Sequence, residues 1–373
     1  MQYKKLLLIL SSLLLISILG FTLYNIYTSQ NIEIKNLTAE ETSNFDENEK
    51  PLGNIFMTLA PKTEDGKIAN YPVVYDLEKQ KVIYTFAEKL KNSKYPAALL
   101  HSFSSTGNFA TFLGLSDNGK IKQVYRSDML DINDPAQIVA DLQSGISVNK
   151  FMPEDAREPN VNNVGEILFY ALETKANESE ANLVEDYGIY ITYLDIESNN
   201  FNTVRIATGA KPKWVADNKY IYLKNNGIFV NGSGFKEDEA KQISKAFNGQ
   251  SERADIKISA GLTVSRDATL VAMSDIDSSD LTLFRVNNWE EPILETVASI
   301  LVNGFWPLIS PDNNFIALQT IDSKDTIKID PQPRVEFYKI AKEGEQSFLK
   351  KLKYEIDLDK FYQDYMFLGD WLN

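Results

Sequence analysis

Trp306-Pro307-Leu308-Ile309-Ser310-Pro311-Asp312-Asn313-Asn314-Phe315-Ile316-Ala317-Leu318 is the stretch whose reading decides the fold. An apolar run ends in Ser-Pro-Asp-Asn-Asn and a second apolar run begins at once. Ser, Asp and Asn accept hydrogen bonds from nearby backbone N–H groups, so the middle of the stretch is a tight turn between two strands. The same order returns upstream. Ser265-Arg266-Asp267-Ala268-Thr269 leads to Leu270-Val271-Ala272-Met273, and Pro212-Lys213-Trp214 leads through Asp217-Asn218-Lys219 to Tyr220-Ile221-Tyr222-Leu223. Looser copies are Ser104-Ser105-Thr106-Gly107-Asn108 before Phe109 and Asn162-Asn163-Val164-Gly165-Glu166 before Ile167.

The third position of each turn falls at residues 106, 164, 217, 267 and 312, spaced by 58, 53, 50 and 45. A sixth, poor copy is Gly53-Asn54 ahead of Ile55-Phe56-Met57. A period of about fifty residues accommodates four short strands and their turns, the size of one blade of a ring that closes on itself and leaves few open edges. Asn225-Asn226-Gly227 has hairpin-turn chemistry, and Asp117 to Lys120 marks a longer hairpin. Inner strands are expected at Ala97–Phe103, Pro159–Val161, Ala210–Trp214, Ile258–Val264 and Val302–Ile309. The chain ends on one more such run, Tyr365 to Trp371, with no partner strands after it, whereas Asn54 to Ala60 has no inner strand before it. Pairing the two closes an all-β, six-bladed β-propeller, seven blades being the alternative count. Pro135–Leu142 and Phe235–Phe247 have helical spacing and are expected as insertions between strands.

The combination of Trp306, Ser310-Pro311-Asp312 and Phe315-Ile316-Ala317, with its copies, resembles the TolB-like, WD-repeat-like β-propeller family of bacterial envelope proteins. The resemblance covers roughly residues 51 to 373 and is strongest in the last three copies. It implies a propeller and an envelope setting, and it is silent on chemistry.

Ahead of the repeats, Lys4 and Lys5 precede Leu6–Tyr27, 22 residues without a charge. A helix of that length is about 30 Å long, the thickness of a bilayer core. The flanking lysines place the short end in the cytoplasm and the rest outside. A cleaved signal peptide is the rival reading, with poor cleavage sites at Ile18-Leu19-Gly20 and Tyr27-Thr28-Ser29. Residues 30–50 carry Glu33, Glu40, Glu41, Asp46, Glu47 and Glu49 against Lys35 and Lys50, and read as an acidic flexible linker. The organisation is therefore residues 1–29 as cytoplasmic tip and membrane anchor, 30–50 as linker, and 51–373 as propeller.

With 38 Lys and Arg against 52 Asp and Glu, the formal charge of −14 argues against nucleic acid as a partner. No cysteine is present, which removes disulfides, thiolate metal sites and cysteine nucleophiles, and a single histidine, His101, removes multi-histidine metal sites. No Gly-x-Ser-x-Gly elbow occurs. His101 lies in an expected inner strand, where it would face the channel as an acid, base or partner contact, or stay structural. Trp214 and Trp306 occupy like positions ahead of their turns, for blade packing or as aromatic contacts to a ligand or partner. Asp275, Asp277 and Asp280 alternate as calcium ligands do, but Asp280 stands where the loop needs glycine and Val286 where it needs glutamate. The simpler reading there is a polar hairpin, with no cofactor and calcium as the alternative. The expected function is a non-catalytic scaffold that binds another envelope or surface protein. The alternatives are a propeller hydrolase or lyase acting on extracellular glycans or peptides, and a small-ligand sensor.

Overall fold

A computed structural model describes residues 46–60, 71–85, 97–115, 121–128, 156–173, 183–198, 200–225, 227–232, 239–245, 256, 260–275, 280–302, 304–321, 333–343, 346–357 and 365–372. They are all-β, with one three-residue 3-10 turn at Val184–Asp186 and no α-helix among the described residues. Glu47–Asn373 forms one compact unit.

The strands are β1 (Asn54–Ala60), β2 (Tyr71–Asp76), β3 (Lys81–Thr85), β4 (Ala97–Phe103), β5 (Phe109–Leu115), β6 (Ile121–Asp128), β7 (Arg157–Val161) and β8 (Ile167–Leu172). There follow β9 (Tyr187–Asp195), β10 (Asn200–Thr208), β11 (Ala210–Ala216), β12 (Lys219–Lys224), β13 (Gly227–Asn231), β14 (Lys241–Lys245), β15 (Gly261–Val264) and β16 (Leu270–Asp275). The last are β17 (Asp280–Val286), β18 (Leu294–Leu301), β19 (Gly304–Ile309), β20 (Phe315–Ile321), β21 (Pro333–Glu343), β22 (Gln346–Asp357) and β23 (Tyr365–Leu372). They pair as five four-stranded blades, β7–β10, β11–β14, β15–β18, β19–β22 and the closure blade β23-β1-β2-β3, plus a three-stranded sheet, β4–β6. The expectation of six full blades is thus corrected to five among the described residues, because the β4–β6 sheet has no fourth strand there.

The second strand of a blade is covered on both faces by neighbouring blades. Tyr220, Ile221, Tyr222 and Leu223 are all buried on β12, as are Leu270 to Met273 on β16 and Phe315 to Leu318 on β20. These strands therefore read as unbroken apolar runs. Burying four such side chains contributes on the order of 6–12 kcal/mol before entropy is charged.

The Ser at each turn does the local work. Ser310 Oγ accepts from Phe315 N at 2.9 Å and donates to Asp312 Oδ1 at 2.5 Å, and Ser265 Oγ makes the matching bonds to Leu270 N and Asp267. Asn162 Oδ1 takes this role in its copy, accepting from Glu166 N at 2.8 Å.

The expected closure is present. β23 runs antiparallel to β1, pairing Asn54 with Leu372 and Ala60 with Tyr365. Trp371 Nε1 donates to Leu52 O at 2.9 Å, and its ring meets Phe337 of β21 edge-on at 5.7 Å. Two other expectations turn out differently or fall elsewhere. The helix at Phe235–Phe247 is, over Lys241–Lys245, strand β14, because pairing along the edge of β13 overrides local spacing. Pro135–Leu142 and the Leu6–Tyr27 anchor lie outside the described residues, among which no helix is long and apolar enough to cross a membrane.

Candidate functional site

Three inner strands share a local device. Glu158-Pro159, Lys211-Pro212 and Trp306-Pro307 each set two residues opposite one on the next strand. Arg157 pairs with Tyr170 and Asn160 with Leu168; Ala210 pairs with Leu223 and Lys213 with Ile221; Phe305 pairs with Gln319 and Leu308 with Ala317. Proline has no N–H for the ladder, so the skipped pair is where it fits. The residue before it turns left-handed, with φ of 42° at Glu158, 57° at Lys211 and 51° at Trp306. Such backbone costs about 1–3 kcal/mol per residue and re-aims the side chain.

The re-aimed Lys211 reaches Glu158 of the adjacent blade in a buried ion pair and lies 5.4 Å above the Tyr170 ring, while Tyr170 OH donates to Glu158 Oε1 at 3.0 Å. Burial, and then the Glu158 charge, push the Tyr170 phenol well above its ordinary range, so it stays a donor.

Where the inner strands end, the ring lines a cavity of about 150 Å³ that is partly open to solvent. Ser102, Asn160, Lys213, Leu262, Trp306 and Gly369 contribute to its wall, one from each of β4, β7, β11, β15, β19 and β23. The β4–β6 sheet is tied into this ring. Ser102 Oγ and Thr111 Oγ1 lie 2.9 Å apart, Thr111 donates to Pro159 O at 3.0 Å, and Phe103 N donates to Asp370 Oδ2 at 2.8 Å. Arg266 extends from the turn after β15 to the far side, donating through Nη1 to Ser105 O at 3.1 Å and through Nε to Trp371 O at 3.3 Å. Its Nη2 is buried, makes no hydrogen bond, and lies 3.9 Å from Asp370 Oδ2.

Every carboxylate on this wall already accepts from the protein. Glu158 holds Lys211 and Tyr170, Asp370 takes the N–H groups of Phe103 and Trp371, and Asp217 Oδ1 accepts from Asn163 N at 3.2 Å. Lys213 differs. Burial lowers its pKa, while Glu158 and, across the channel, Asp370 pull it back up against Lys211.

Of the residues singled out from sequence, Trp214 and Trp306 both line the cavity. They are not equivalent: Trp306 sits in a bulge, whereas Trp214 pairs with Tyr220 and is fastened to the adjacent blade through Trp214 N to Asn160 Oδ1 at 2.8 Å and Nε1 to Asn160 O at 3.0 Å. His101 lies on β4 where the register shifts between Leu100 and Ser102, and its side chain is outside the described ones. Asp277 and the Asp275 side chain are likewise outside, and Asp280 pairs with Asp275 along β16 and β17. Among the described residues no group of three His, Cys, Asp or Glu could hold a metal ion. Sequence reasoning missed Glu158, Lys211, Lys213, Arg266 and Asp370. The X-Pro dipeptide recurring four or five residues ahead of the turn was the signal for the first two.

No protein-family model matches the chain, and no curated protein is detectably similar to it. Among solved structures, TolB from Acinetobacter baumannii superposes with a TM-score of 0.50 at 14% identity, over 86% of this chain and 66% of that one. The chain thus spans slightly less than two thirds of that TolB. The β-propeller domain of Swd1 from Myceliophteria thermophila gives 0.46 at 11% identity over 82% and 89%, and a putative TolB from Agrobacterium tumefaciens gives 0.44 at 10% over 82% and 90%. At these identities the likeness is one of fold, and the chain is a β-propeller similar to that of TolB.

Proposed function

We propose that this protein is a membrane-anchored, extracytoplasmic β-propeller that acts as a non-catalytic protein-binding scaffold in the cell envelope. The partner engages the channel mouth. One observation carries the choice of a binding role: the three carboxylates of the mouth, Glu158, Asp217 and Asp370, already serve as hydrogen-bond acceptors within the protein. A general acid or base needs a proton site aimed at substrate, whereas a docking surface needs a rigid, shaped rim, which the hydrogen-bonded turns supply. The uncharged Leu6–Tyr27 run and the acidic linker support the setting.

Site-specific photocrosslinking in cells tests this. A crosslinker at the exposed Ser105 or Asp217 on the mouth should capture one stoichiometric envelope protein, and one at Ile196, 88% exposed on the outer edge of its blade, should not. Capture from Ile196 alone, or the same yield at all three positions, would refute docking at the mouth. Release of the chain from membranes on deletion of residues 6–27 is the expected companion result, and retention would refute the anchor.

A further inference from the structure

The geometry points to a ligand for the cavity itself: we infer that it binds a small cyclic monocarboxylate, with the carboxylate on the Lys213 ammonium and the Arg266 Nη2 and the ring between Trp214 and Trp306. Size sets the first limit. A cavity of about 150 Å³, partly open to solvent, has room for one six-membered ring. Charge sets the second. In a chain of formal charge −14, Lys213 is a cation on the cavity wall with no hydrogen bond or ion pair among the described residues, while its neighbour Lys211 is matched by Glu158.

The second cation has spare capacity too. Two of the Arg266 nitrogens are fixed on backbone carbonyls, which holds the guanidinium across the channel and leaves Nη2 as a buried donor without an acceptor. A buried donor left unmatched is costly, and a carboxylate is the acceptor that matches both a guanidinium and an ammonium. The wall carboxylate that faces Nη2 is Asp370, whose Oδ2 lies 3.9 Å away, beyond hydrogen-bond distance, and accepts from Phe103 N while Oδ1 accepts from Trp371 N; Glu158 Oε1 is held by Lys211 and Tyr170. Trp214 and Trp306 are aromatic residues of this wall that a planar ring could pack against. This inference concerns the same cavity mouth as the scaffold reading but rests on Lys213, Arg266 and the two tryptophans rather than on the carboxylates, so the two can fail separately.

Calorimetric titration of the full-length chain in mild detergent with benzoate, and with benzamide as the neutral isostere, tests it. Benzoate should bind with a dissociation constant below about 1 mM, and benzamide at least tenfold more weakly, the range expected when a charged hydrogen bond is lost. Lys213→Met should weaken benzoate tenfold or more, Lys213→Arg should restore most of the binding, and Arg266→Gln should give a smaller loss. Thermal unfolding of each variant, run alongside, separates loss of the site from loss of the fold. Equal affinity for benzoate and benzamide, unchanged benzoate binding in Lys213→Met at parental stability, or no heat up to about 10 mM benzoate would each overturn the inference. Failure of the mouth crosslinks would leave this titration unaffected.

Discussion

Removing the indole that seals the ring should cost more than any other single truncation at the closure. Trp371 is 1% exposed, packs edge-on against Phe337 at 5.7 Å, and donates to Leu52 O at 2.9 Å. Trp371→Ala removes that packing, worth about 3–5 kcal/mol for a buried tryptophan, and up to about 1 kcal/mol for the hydrogen bond. For a compact unit spanning residues 47 to 373, an unfolding entropy of about 2.1 cal/mol/K per residue gives roughly 0.7 kcal/mol/K. The melting temperature should therefore fall by about 5–8 °C. Trp371→Phe keeps a ring against Phe337 but loses the donor and some volume, so about 2–3 °C is expected. Differential scanning calorimetry reads both. A Trp371→Ala melt within 1 °C of the parent would refute the claim that β23 carries the closure, and equal losses in the two variants would refute the assignment of most of the energy to packing.

Ser310→Ala should lower stability by about 2–3 kcal/mol, because it strips the acceptor from Phe315 N and the partner from Asp312, whereas Ser104→Ala, with only Phe109 N at 3.2 Å and Thr106 at 3.4 Å, should cost about 1 kcal/mol; urea midpoints at unchanged slope check the pair. Gly53 has φ of +92°, and a Cβ there would collide with the Leu372 carbonyl, so Gly53→Ala should cost about 2–4 kcal/mol and appear as early amide exchange in β1 and β23. Burial alone would raise the Asp267 and Asp312 carboxyls, but donors from Ser265 and Thr269, and from Ser310 and Asn314, outweigh it and hold both below the usual range. Their stabilisation is complete above the unfolded-state pKa of about 4 and is lost as pH falls through the lower folded value. Asp267→Asn with Asp312→Asn should therefore flatten the fall in urea midpoint between pH 5 and pH 3, and an unchanged slope would count against this account.

The propeller was legible because its signal is local and repeated. The Ser-x-Asp turn followed by an apolar run marks the first hairpin of a blade, and the unpaired ends at Asn54 and Tyr365 revealed the closure. The Lys241–Lys245 strand was not legible, since its five residues hold one apolar side chain, Ile243, and its conformation comes from β13. The channel mouth was half legible. Trp214 and Trp306 stand out by type, whereas Lys213, Arg266 and Asp370 look like any surface charges until the ring brings β11, the turn after β15 and β23 together. Glu158 and Lys211 lie on different blades, and only the two bulges aim them at each other.

The joining of β1 to β23 also sets a clock on synthesis. Residues 61 to 364 must be made after β1 leaves the ribosome and before its partner exists. At translation rates of about 5–20 residues per second that interval is roughly 15–60 s. Throughout it the backbone groups of Phe56, Met57 and Thr58 that will face β23 have no strand to pair with, on a segment that is buried once the ring is complete. Such an edge can recruit the equivalent edge of another nascent chain. Partition between a closed ring and intermolecular pairing should therefore depend on how fast β23 follows, so slow codons within or just ahead of the Tyr365–Leu372 stretch would lower the yield of folded protein without altering its stability.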